Sequence, residues 1–389
     1  MTPELNAGGV ERTTLEIAEA ISRAGGLALI ASAGGRLEPD LEASGGILVR
    51  IPAATKNPFV ALANVWRLMR IIKKDKVQIV HARSRAPAWS ALIAARLSGV
   101  PFVTTFHGIY NARTPLKRFY NSVMARGDVV IANSEYTREH ILEFYDARRE
   151  RIVAIPRGVD LDVFNSARIS ADDVIAQRAE WNVASNDARC VVMAPARLTR
   201  WKGQLVLIEA IAMIERRRPG ALKVIVAGDA QGRAGYLEEI NSAIEKAQLR
   251  DVVAVVGHLR HMNLAFAASD IAVFPVTEPE AFGRGAVEAQ AMGVPVVASS
   301  LGGFTETVIE GETGFLVPPG AAQALAGAIE RMLDLSADQR AAMGEKGRER
   351  VHQLYSKQAL QTATMAVYQR VLREKSAQCA TKPDSAPVL

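Results

Sequence analysis

Short runs of apolar and β-branched residues alternate with longer segments of helical periodicity along most of the chain. In the first half, these runs predict strands at residues 27–31, 47–51, 77–81, 102–106, 129–132 and 152–155. A second series predicts strands at residues 190–194, 223–227, 252–256, 271–274 and 294–298. Strands that alternate with helices are typical of parallel α/β sheets. The pattern therefore predicts an α/β fold with two doubly wound domains and a cleft between them.

A segment rich in Gly, Pro and Asp, residues 156–164, separates the two series of strands. We therefore predict an N-terminal domain at residues 1–165 and a C-terminal domain at residues 166–355. A helix at residues 356–374 is expected to pack back toward the N-terminal domain. Residues 375–389 mix Ser, Ala, Pro and Lys, a composition that predicts a disordered tail.

The start of the chain departs from the pattern of a doubly wound domain. Such a domain opens with a buried strand that leads through a glycine turn into a helix. The sequence Asn6-Ala-Gly-Gly-Val-Glu-Arg12 supplies the turn and the start of the helix, but only five residues precede it. We therefore expect the first strand of the N-terminal sheet to be truncated.

Composition and charge exclude several classes of protein. Hydrophobic residues make up 49% and charged residues 23% of the 389 residues, which excludes a chain that is disordered throughout. The net charge is +6 and the isoelectric point is near 9.4, values that fit phosphate-bearing ligands or an anionic membrane surface. The charge is too dispersed to indicate nucleic acid, and no stacking-aromatic cluster or recognition-helix motif accompanies it. A nucleic-acid partner is therefore not expected.

Cysteine content and hydropathy predict the compartment. The two cysteines, Cys190 and Cys379, cannot form a disulfide framework and indicate a reducing environment. No apolar run approaches the roughly 18 residues that a membrane span needs. The N-terminus also lacks the apolar stretch of a signal peptide. We therefore expect a cytoplasmic protein that has at most a peripheral contact with the inner face of the cytoplasmic membrane.

Basic and apolar side chains that suit such a contact occur together in two segments of the N-terminal half. They are Arg67, Arg70, Lys73, Lys74 and Lys76 in the first segment and Arg113, Lys117, Arg118, Phe119 and Tyr120 in the second. Side chains of these two kinds favour docking on anionic lipid. The solvated face of a helix is an equally good interpretation.

Two short motifs place glycine or positive charge where a phosphate can bind. Gly8 and Gly9 precede a predicted helix, whose N-terminus attracts phosphate. On its own, such a pair is more often a plain turn. Arg197 and Lys202 follow the predicted strand at residues 190–194, at the end where open α/β sheets bind ligands. Two fixed cations there can neutralise a diphosphate without a metal ion, although a solvated basic loop is an equally good interpretation.

The stretch from residue 277 to residue 295 is the most informative. Glu280 and Glu288 are separated by seven residues, and Gly283 and Gly285 lie between them at the start of a predicted helix. This arrangement suits a nucleotide sugar, because one carboxylate can bind sugar hydroxyls, the helix N–H groups can bind phosphate, and the second carboxylate can bind ribose. A capped surface helix with two solvated glutamates is the alternative, but it does not explain the glycines.

The order and spacing of these motifs resemble those of the retaining glycosyltransferases of family four, the group 1 family with the GT-B architecture. The motifs are Gly8-Gly9, Pro156-Arg-Gly-Val-Asp160, Arg197 with Lys202-Gly203, Glu280 with Glu288, and Gly302-Gly303 and Glu306 with Gly311-Glu-Thr-Gly-Phe-Leu-Val317. The sub-pattern, including His81-Ala-Arg-Ser-Arg85 and Thr104-Thr-Phe-His-Gly108, is similar to bacterial enzymes that build lipopolysaccharide or capsule. The resemblance implies two Rossmann-like domains facing a central cleft, with the acceptor on the N-terminal domain and the nucleotide sugar on the C-terminal domain.

The resemblance also implies roles for individual residues. Glu280 is expected beside the anomeric carbon of the donor sugar, Glu288 at the ribose, and Arg197 and Lys202 at the diphosphate. Gly9 is expected at phosphate or acceptor, and His107 at the sugar. The role of Arg284 is open. The predicted catalytic residues are Glu280, His107, Arg197 and Lys202, and the predicted donor-binding residues are Gly8, Gly9, Phe282, Gly283, Arg284, Gly285 and Glu288. For His81, contact with an acceptor phosphate and a structural role are equally good interpretations.

The expected activity is transfer of a sugar from a UDP-, GDP- or ADP-linked donor to a glycan or lipid-linked acceptor, with retention. The donor is a substrate, and neither a cofactor nor a metal is expected, because Arg197 and Lys202 supply the positive charge that a diphosphate needs. The implied setting is synthesis of lipopolysaccharide, capsule or another cell-surface polysaccharide. The alternatives are a nucleotide-sugar-binding protein that has lost transferase activity and a sugar-nucleotide epimerase.

Overall fold

The computed structural model describes residues 1–6, 8–110 and 114–380, and within them every pairing between named strands is parallel. The strands are β1 (Ala28–Ser32), β2 (Gly46–Arg50), β3 (Val80–Ala82), β4 (Phe102–Phe106), β5 (Val129–Ala132), β6 (Ile152–Ala154), β7 (Cys190–Pro195), β8 (Leu222–Ala227), β9 (Val253–Gly257), β10 (Ile271–Phe274), β11 (Val296–Ser299) and β12 (Gly314–Val317). These are mostly runs of Val, Ile and Ala, as expected for strands buried on both faces.

Helices connect and cover these strands. They are α1 (Gly9–Arg23), α2 (Glu38–Ala43), α3 (Pro58–Lys74), α4 (Arg85–Leu97), α5 (Pro115–Ser122), α6 (Glu135–Phe144), α7 (Ala171–Glu180), α8 (Gln204–Arg217), α9 (Ala234–Lys246), α10 (Met262–Ala267), α11 (Arg284–Ala291), α12 (Phe304–Thr307), α13 (Ala322–Asp334), α14 (Ala337–Leu354) and α15 (Lys357–Ala380). The predicted alternation of strands and helices, and with it the α/β fold, is confirmed.

The strands form three sheets, with the orders β1-β2, β3-β4-β5-β6 and β12-β11-β10-β7-β8-β9. Each of the eleven predicted strands overlaps an observed one. The twelfth strand, β12, was not predicted, because it begins with a glycine and only three apolar residues follow before Pro318. It pairs with β11 at the edge of the third sheet.

The segment before α1 is extended, although no strand is assigned to it. On one side, the N–H of Thr2 donates to the carbonyl oxygen of Ala31 over 3.2 Å. On the other side, the N–H of Arg83 donates to the carbonyl oxygen of Met1 over 3.0 Å. Residues 1–5 therefore lie between β1 and β3 and connect the first two sheets. With this segment counted as a strand, the order is that of a Rossmann-like sheet.

An apolar cavity of about 440 Å³ lies beside this segment. It is lined along β1 and along residues 77–81, which include the start of β3, and by side chains of α1, α3 and α15. Residues 1–5 thus cover only part of the edges of β1 and β3.

The chain divides into two compact units, and the first consists of Met1–Gly158 together with the last helix, α15. The side-chain amide of Gln361 in α15 donates to the carbonyl oxygen of Glu16 in α1 over 2.7 Å. The predicted tail needs a correction, because residues 375–380 continue α15 as helix. Helix-forming Lys, Ser, Ala and Gln residues extend the helix there, since no Pro or Gly interrupts it. The rest of that prediction, residues 381–389, lies outside the described residues.

The second unit, Val159–Ser356, contains the six-stranded sheet with a hydrophobic core on each face. The second unit begins at Val159, seven residues before residue 166, where the C-terminal domain was predicted to begin. The reason is that Val159 is completely buried and its N–H donates to the carbonyl oxygen of Tyr355 over 2.7 Å. This backbone pairing attaches residues 159–165 to the second unit.

Candidate functional site

The strand order of the second unit brings two loops of the predicted site together. β7 and β10 are hydrogen-bonded neighbours. The sheet continues from β7 to β8 and β9 on one side and from β10 to β11 and β12 on the other side. The loops that follow two such strands diverge and leave a crevice at the carboxyl end of the sheet, where open α/β sheets bind ligands. Lys202 follows β7 and Glu280 follows β10. The two residues are 78 positions apart in the sequence but belong to one site.

Lys202 and Glu280 form an ion pair in this site. The Nζ of Lys202 donates to Oε2 of Glu280 over 2.6 Å, and the two side chains are 12% and 25% exposed. The Lys202 ammonium also lies 4.2 Å from the centre of the Trp201 ring. The N–H of Thr277 donates to the carbonyl oxygen of Trp201 over 2.8 Å, which joins the two loops through their backbones. The Lys202 ammonium and the Glu280 carboxylate are thus held in a fixed position relative to each other.

Glycines make the loop that carries Glu280 possible. The N–H of Gly303 donates to the carbonyl oxygen of Glu280 over 2.7 Å, and a Cβ at Gly302 would overlap the Glu280 backbone. Gly283, the residue before α11, has a φ of 82°, and a Cβ there would lie 2.8 Å from the Phe304 ring. Side chains at these positions would displace the loop, so the glycines fix the place of the Glu280 carboxylate.

Glu288 lies about one turn into α11, whose N-terminus carries partial positive charge. Its carboxylate accepts a hydrogen bond of 2.7 Å from Nε of Arg284, and both side chains are less than 20% exposed. Arg284, whose role the sequence left open, therefore orients the Glu288 carboxylate.

The remaining predicted donor-binding residues of this unit lie in different surroundings. The Phe282 side chain is buried against Tyr355, at a ring-to-ring distance of 5.5 Å, so only its backbone is available to a ligand. A Cβ at Gly285 would lie 2.7 Å from the Phe274 ring, so this glycine is required for the packing of α11 on β10. Arg197 is exposed after β7, and its side chain has no ion pair with any residue that the structure describes.

In the first unit, Arg157 brings together Gly9 and His107. Its Nη2 donates to the carbonyl oxygen of His107 over 3.1 Å and lies 3.2 Å from Nδ1 of the same residue. A Cβ at Gly9 would overlap the Arg157 guanidinium. Gly8, which has a φ of 138°, precedes the helix at this point. The sequence indicated Arg157 only as part of the linker and of the motif Pro156-Arg-Gly-Val-Asp160, and no local signal placed it beside Gly9 and His107.

Burial and the neighbouring positive charges keep His107 neutral. Burial lowers its pKa well below the usual value, and the positive charges of Arg157 and Arg83 lower the pKa further. Within the described part of the chain, Nε2 of His107 has no hydrogen-bond partner, and neither does Nε of the buried Arg83. The first unit thus contains a neutral imidazole nitrogen and a guanidinium N–H that are buried and have no partner among the described residues.

The structure favours a structural role for His81. Its Nδ1 lies 2.6 Å from the Tyr368 hydroxyl, and its Nε2 lies 2.7 Å from the Thr105 hydroxyl. Both ring nitrogens are therefore used inside the first unit, where they connect β3 with β4 and α15. Burial, followed by the charge of Arg83, lowers the pKa of His81 well below its usual value.

We expect the two buried histidines to make stability depend on pH. Their folded-state pKa values are lowered, so the unfolded chain binds more protons than the folded chain below about pH 6.5. Stability is therefore fully present above that pH and is lost as the pH falls, by at most about 1.4 kcal/mol per pH unit for each histidine. Thermal midpoints measured across this range test the expectation. His107→Gln should flatten the acid-side decline, whereas His258→Gln, at an exposed position, should not. An equal decline in wild type and His107→Gln would contradict it.

Neither a membrane span nor a metal-binding cluster occurs within the described residues. No helix there is long and apolar enough to cross a membrane. No three His, Cys, Asp or Glu side chains in residues 1–6, 8–110 and 114–380 are grouped so that they could hold a metal ion.

Comparisons with protein families match both units. Residues 7–163 match the family model described as Glycosyltransferase Family 4, and residues 176–350 match the one described as Glycosyl transferases group 1. A curated relative, the D-inositol 3-phosphate glycosyltransferase of Kineococcus radiotolerans, is 31% identical over 275 residues, or 67% of this chain and 61% of the relative. This chain thus spans less than two thirds of that relative's length.

Solved structures match over nearly the whole chain. A glycosyltransferase from Rickettsia africae is 35% identical, with a TM-score of 0.87, and the match covers 94% of this chain and 96% of that one. HepE from Anabaena, solved in complex with UDP and glucose, is 25% identical, with a TM-score of 0.82 and coverage of 95% and 98%. The family models and these structures therefore confirm the family and the fold that the motifs indicated.

Proposed function

Because the chain belongs to glycosyltransferase family 4 and has two Rossmann-like domains, we propose that it transfers a sugar from a nucleotide sugar to a glycan or lipid-linked acceptor, with retention. The setting that we propose is the synthesis of lipopolysaccharide, capsule or another cell-surface polysaccharide on the cytoplasmic side of the membrane. The ion pair of Lys202 and Glu280 at the carboxyl end of the second sheet is the observation that carries this proposal. It provides a cation for a diphosphate beside a carboxylate for the sugar.

A nucleotide sugar fits this part of the second unit. The HepE structures, which hold UDP, UDP and glucose, or UDP-glucose, support a donor of this class. In our proposal the diphosphate takes the place of Glu280 as the partner of Lys202, because two phosphate groups carry more negative charge than one carboxylate. Glu280 then turns to the sugar hydroxyls. Glu288, oriented by Arg284, accepts hydrogen bonds from the ribose.

The chemistry needs stabilisation of a leaving group. When the bond from the anomeric carbon to the diphosphate breaks, negative charge grows on the phosphate oxygens. Lys202, Arg197 and the N-terminus of α11 supply positive charge there, so we propose that the enzyme needs no metal ion. The acceptor oxygen bonds to the anomeric carbon on the same face, and its proton passes to a phosphate oxygen of the departing nucleotide. The charge and proton balance therefore closes without a further reactant.

In our proposal the first unit binds the acceptor, and His107 contacts a sugar hydroxyl. Neutral His107 can exchange a hydrogen bond with a sugar hydroxyl through Nε2, because Nδ1 faces Arg157.

Incubation of the protein with UDP-, GDP- and ADP-linked sugars and lipid-linked glycan acceptors tests the proposal. We expect one donor to yield a product whose new linkage has the donor's anomeric configuration, as measured by NMR. The same yield is expected in excess EDTA. Loss of activity with chelator that magnesium or manganese restores would overturn metal independence. Binding of a donor without any product would favour the alternative of a binding protein, and isomerisation of the sugar would favour an epimerase.

A further inference from the structure

The positive charge of the chain is concentrated in one segment. Residues 51–127 contain 13 of the 47 Lys and Arg residues but only 1 of the 41 Asp and Glu residues. This segment therefore carries a net charge of +12, and the rest of the chain carries −6. It includes α3, α4 and α5 of the first unit. A charge separation of this size attracts an extended anionic partner, whereas a single small substrate needs only a few cations.

Helix α3 presents apolar and basic side chains along one exposed stripe. Phe59, Leu62 and Trp66, at helical spacing, are 81%, 58% and 65% exposed. The same stripe continues with Arg70 and Lys73, which are also exposed. The helix contains no acidic residue. Its first half is thus apolar and its second half is basic on the side that faces solvent.

Helices α4 and α5 extend this surface. Ser90 in α4 donates to the carbonyl oxygen of Ala61 in α3 over 2.8 Å, so the two helices are in contact. The neighbouring Trp89 stacks on Phe119 of α5, with ring centres 5.2 Å apart, and the Arg126 guanidinium lies 5.1 Å from the Trp89 ring. In α5 every residue from 115 to 120 is exposed, including Lys117 and Arg118. We call the exposed side chains of α3 and α5, with Trp89 and Arg126, the basic aromatic surface.

We propose that the basic aromatic surface docks this protein on an anionic lipid bilayer. Large aromatic and aliphatic side chains can enter the interface between headgroups and acyl chains, and the surrounding Lys and Arg residues bind the lipid phosphates. A second copy of the chain does not fit this surface, because two surfaces of the same positive charge repel each other. The proposal deepens the proposed function and rests on it only for the lipid-linked nature of the acceptor.

Vesicle binding of the full chain tests this proposal directly. Phosphatidylcholine vesicles with and without phosphatidylglycerol are sedimented with the protein at low and high salt. We expect strong binding only with phosphatidylglycerol at low salt, because salt screens the attraction. Each Lys or Arg near an anionic surface strengthens binding about fivefold, so the double variant Arg70→Glu with Lys73→Glu should weaken it by at least about 25-fold. The double variant Phe59→Ser with Trp66→Ser should weaken the binding that remains at high salt.

A matched control separates this surface from overall charge. Arg216→Glu with Lys246→Glu changes the net charge equally at exposed positions of the second unit, and it should weaken binding far less. None of these residues belongs to the proposed active site, so affinity for UDP and donor turnover with a water-soluble acceptor should be unchanged. Equal binding to neutral vesicles, or an equal loss in the control, would overturn the proposal. Binding to a soluble polyanion but not to vesicles would also overturn it and assign the surface to an anionic glycan. Failure of vesicle binding with normal transferase activity would leave the proposed function standing.

Discussion

Replacement of Glu280 by Gln is expected to lower the turnover number of sugar transfer by about 10²–10³-fold while affinity for the nucleotide stays within about threefold. The carboxylate and the amide have the same shape, so the loop held by Gly302 and Gly303 should be undisturbed. The charge matters only when positive charge develops at the anomeric carbon. Glu280→Gln should therefore destabilise the transition state and leave the ground-state binding of the nucleotide nearly unchanged.

Isothermal titration with UDP and steady-state kinetics measure the two effects separately. Glu278→Gln is the matched control, since Glu278 lies two positions away in the same loop and is exposed. It should behave as wild type. If affinity for UDP collapses in Glu280→Gln and the turnover of bound donor is unchanged, then Glu280 is a structural partner of Lys202 and not a group that acts on the sugar.

Replacement of Lys202 by Met is expected to weaken UDP binding by roughly 30-fold or more and to lower kcat/KM for the donor by at least the same factor. The variant removes the cation that is 12% exposed and leaves the Glu280 carboxylate to repel the diphosphate. Uridine, which has no phosphate, should bind as it does to wild type. A comparison of the two ligands therefore assigns the loss to charge rather than to unfolding.

Arg200→Met supplies the control for this second variant. Arg200 lies in the same short turn but is exposed and pairs with Glu239. Its replacement should change neither UDP nor uridine affinity appreciably. If Lys202→Met lost affinity for uridine and UDP alike, the diphosphate role of Lys202 would be refuted.

Local sequence patterns predicted most of the fold. Runs of Val, Ile and Ala predicted eleven of the twelve strands in the part of the chain that the structure describes, because strands buried on both faces need continuous apolar residues. The edge strand β12 escaped prediction because it begins with a glycine and contains only three apolar residues. The helical extension at residues 375–380 escaped it because composition describes an average and does not fix the last turn of a helix.

The candidate site was predictable as a set of residues but not as a set of contacts. The spacing of the glycines indicated where another group must pack closely against the backbone, but it did not indicate which group that is. Gly285 makes room for Phe274, and Gly9 makes room for Arg157. His81 lies in β3 and His107 directly follows β4, but His81 has both ring nitrogens occupied, whereas His107 has one nitrogen without a partner in the described residues. Only packing distinguishes the two.

The sequence by itself determined the parallel α/β class, the division into two series of strands and the family to which the motifs belong. These properties follow from local periodicity and from the order of residues along the chain. The tertiary structure decided which distant residues meet. Lys202 reaches Glu280 because β7 and β10 are neighbours in the sheet, and Arg157 reaches His107 across 50 positions. Strand order depends on how helices and strands pack together, and no local pattern records it.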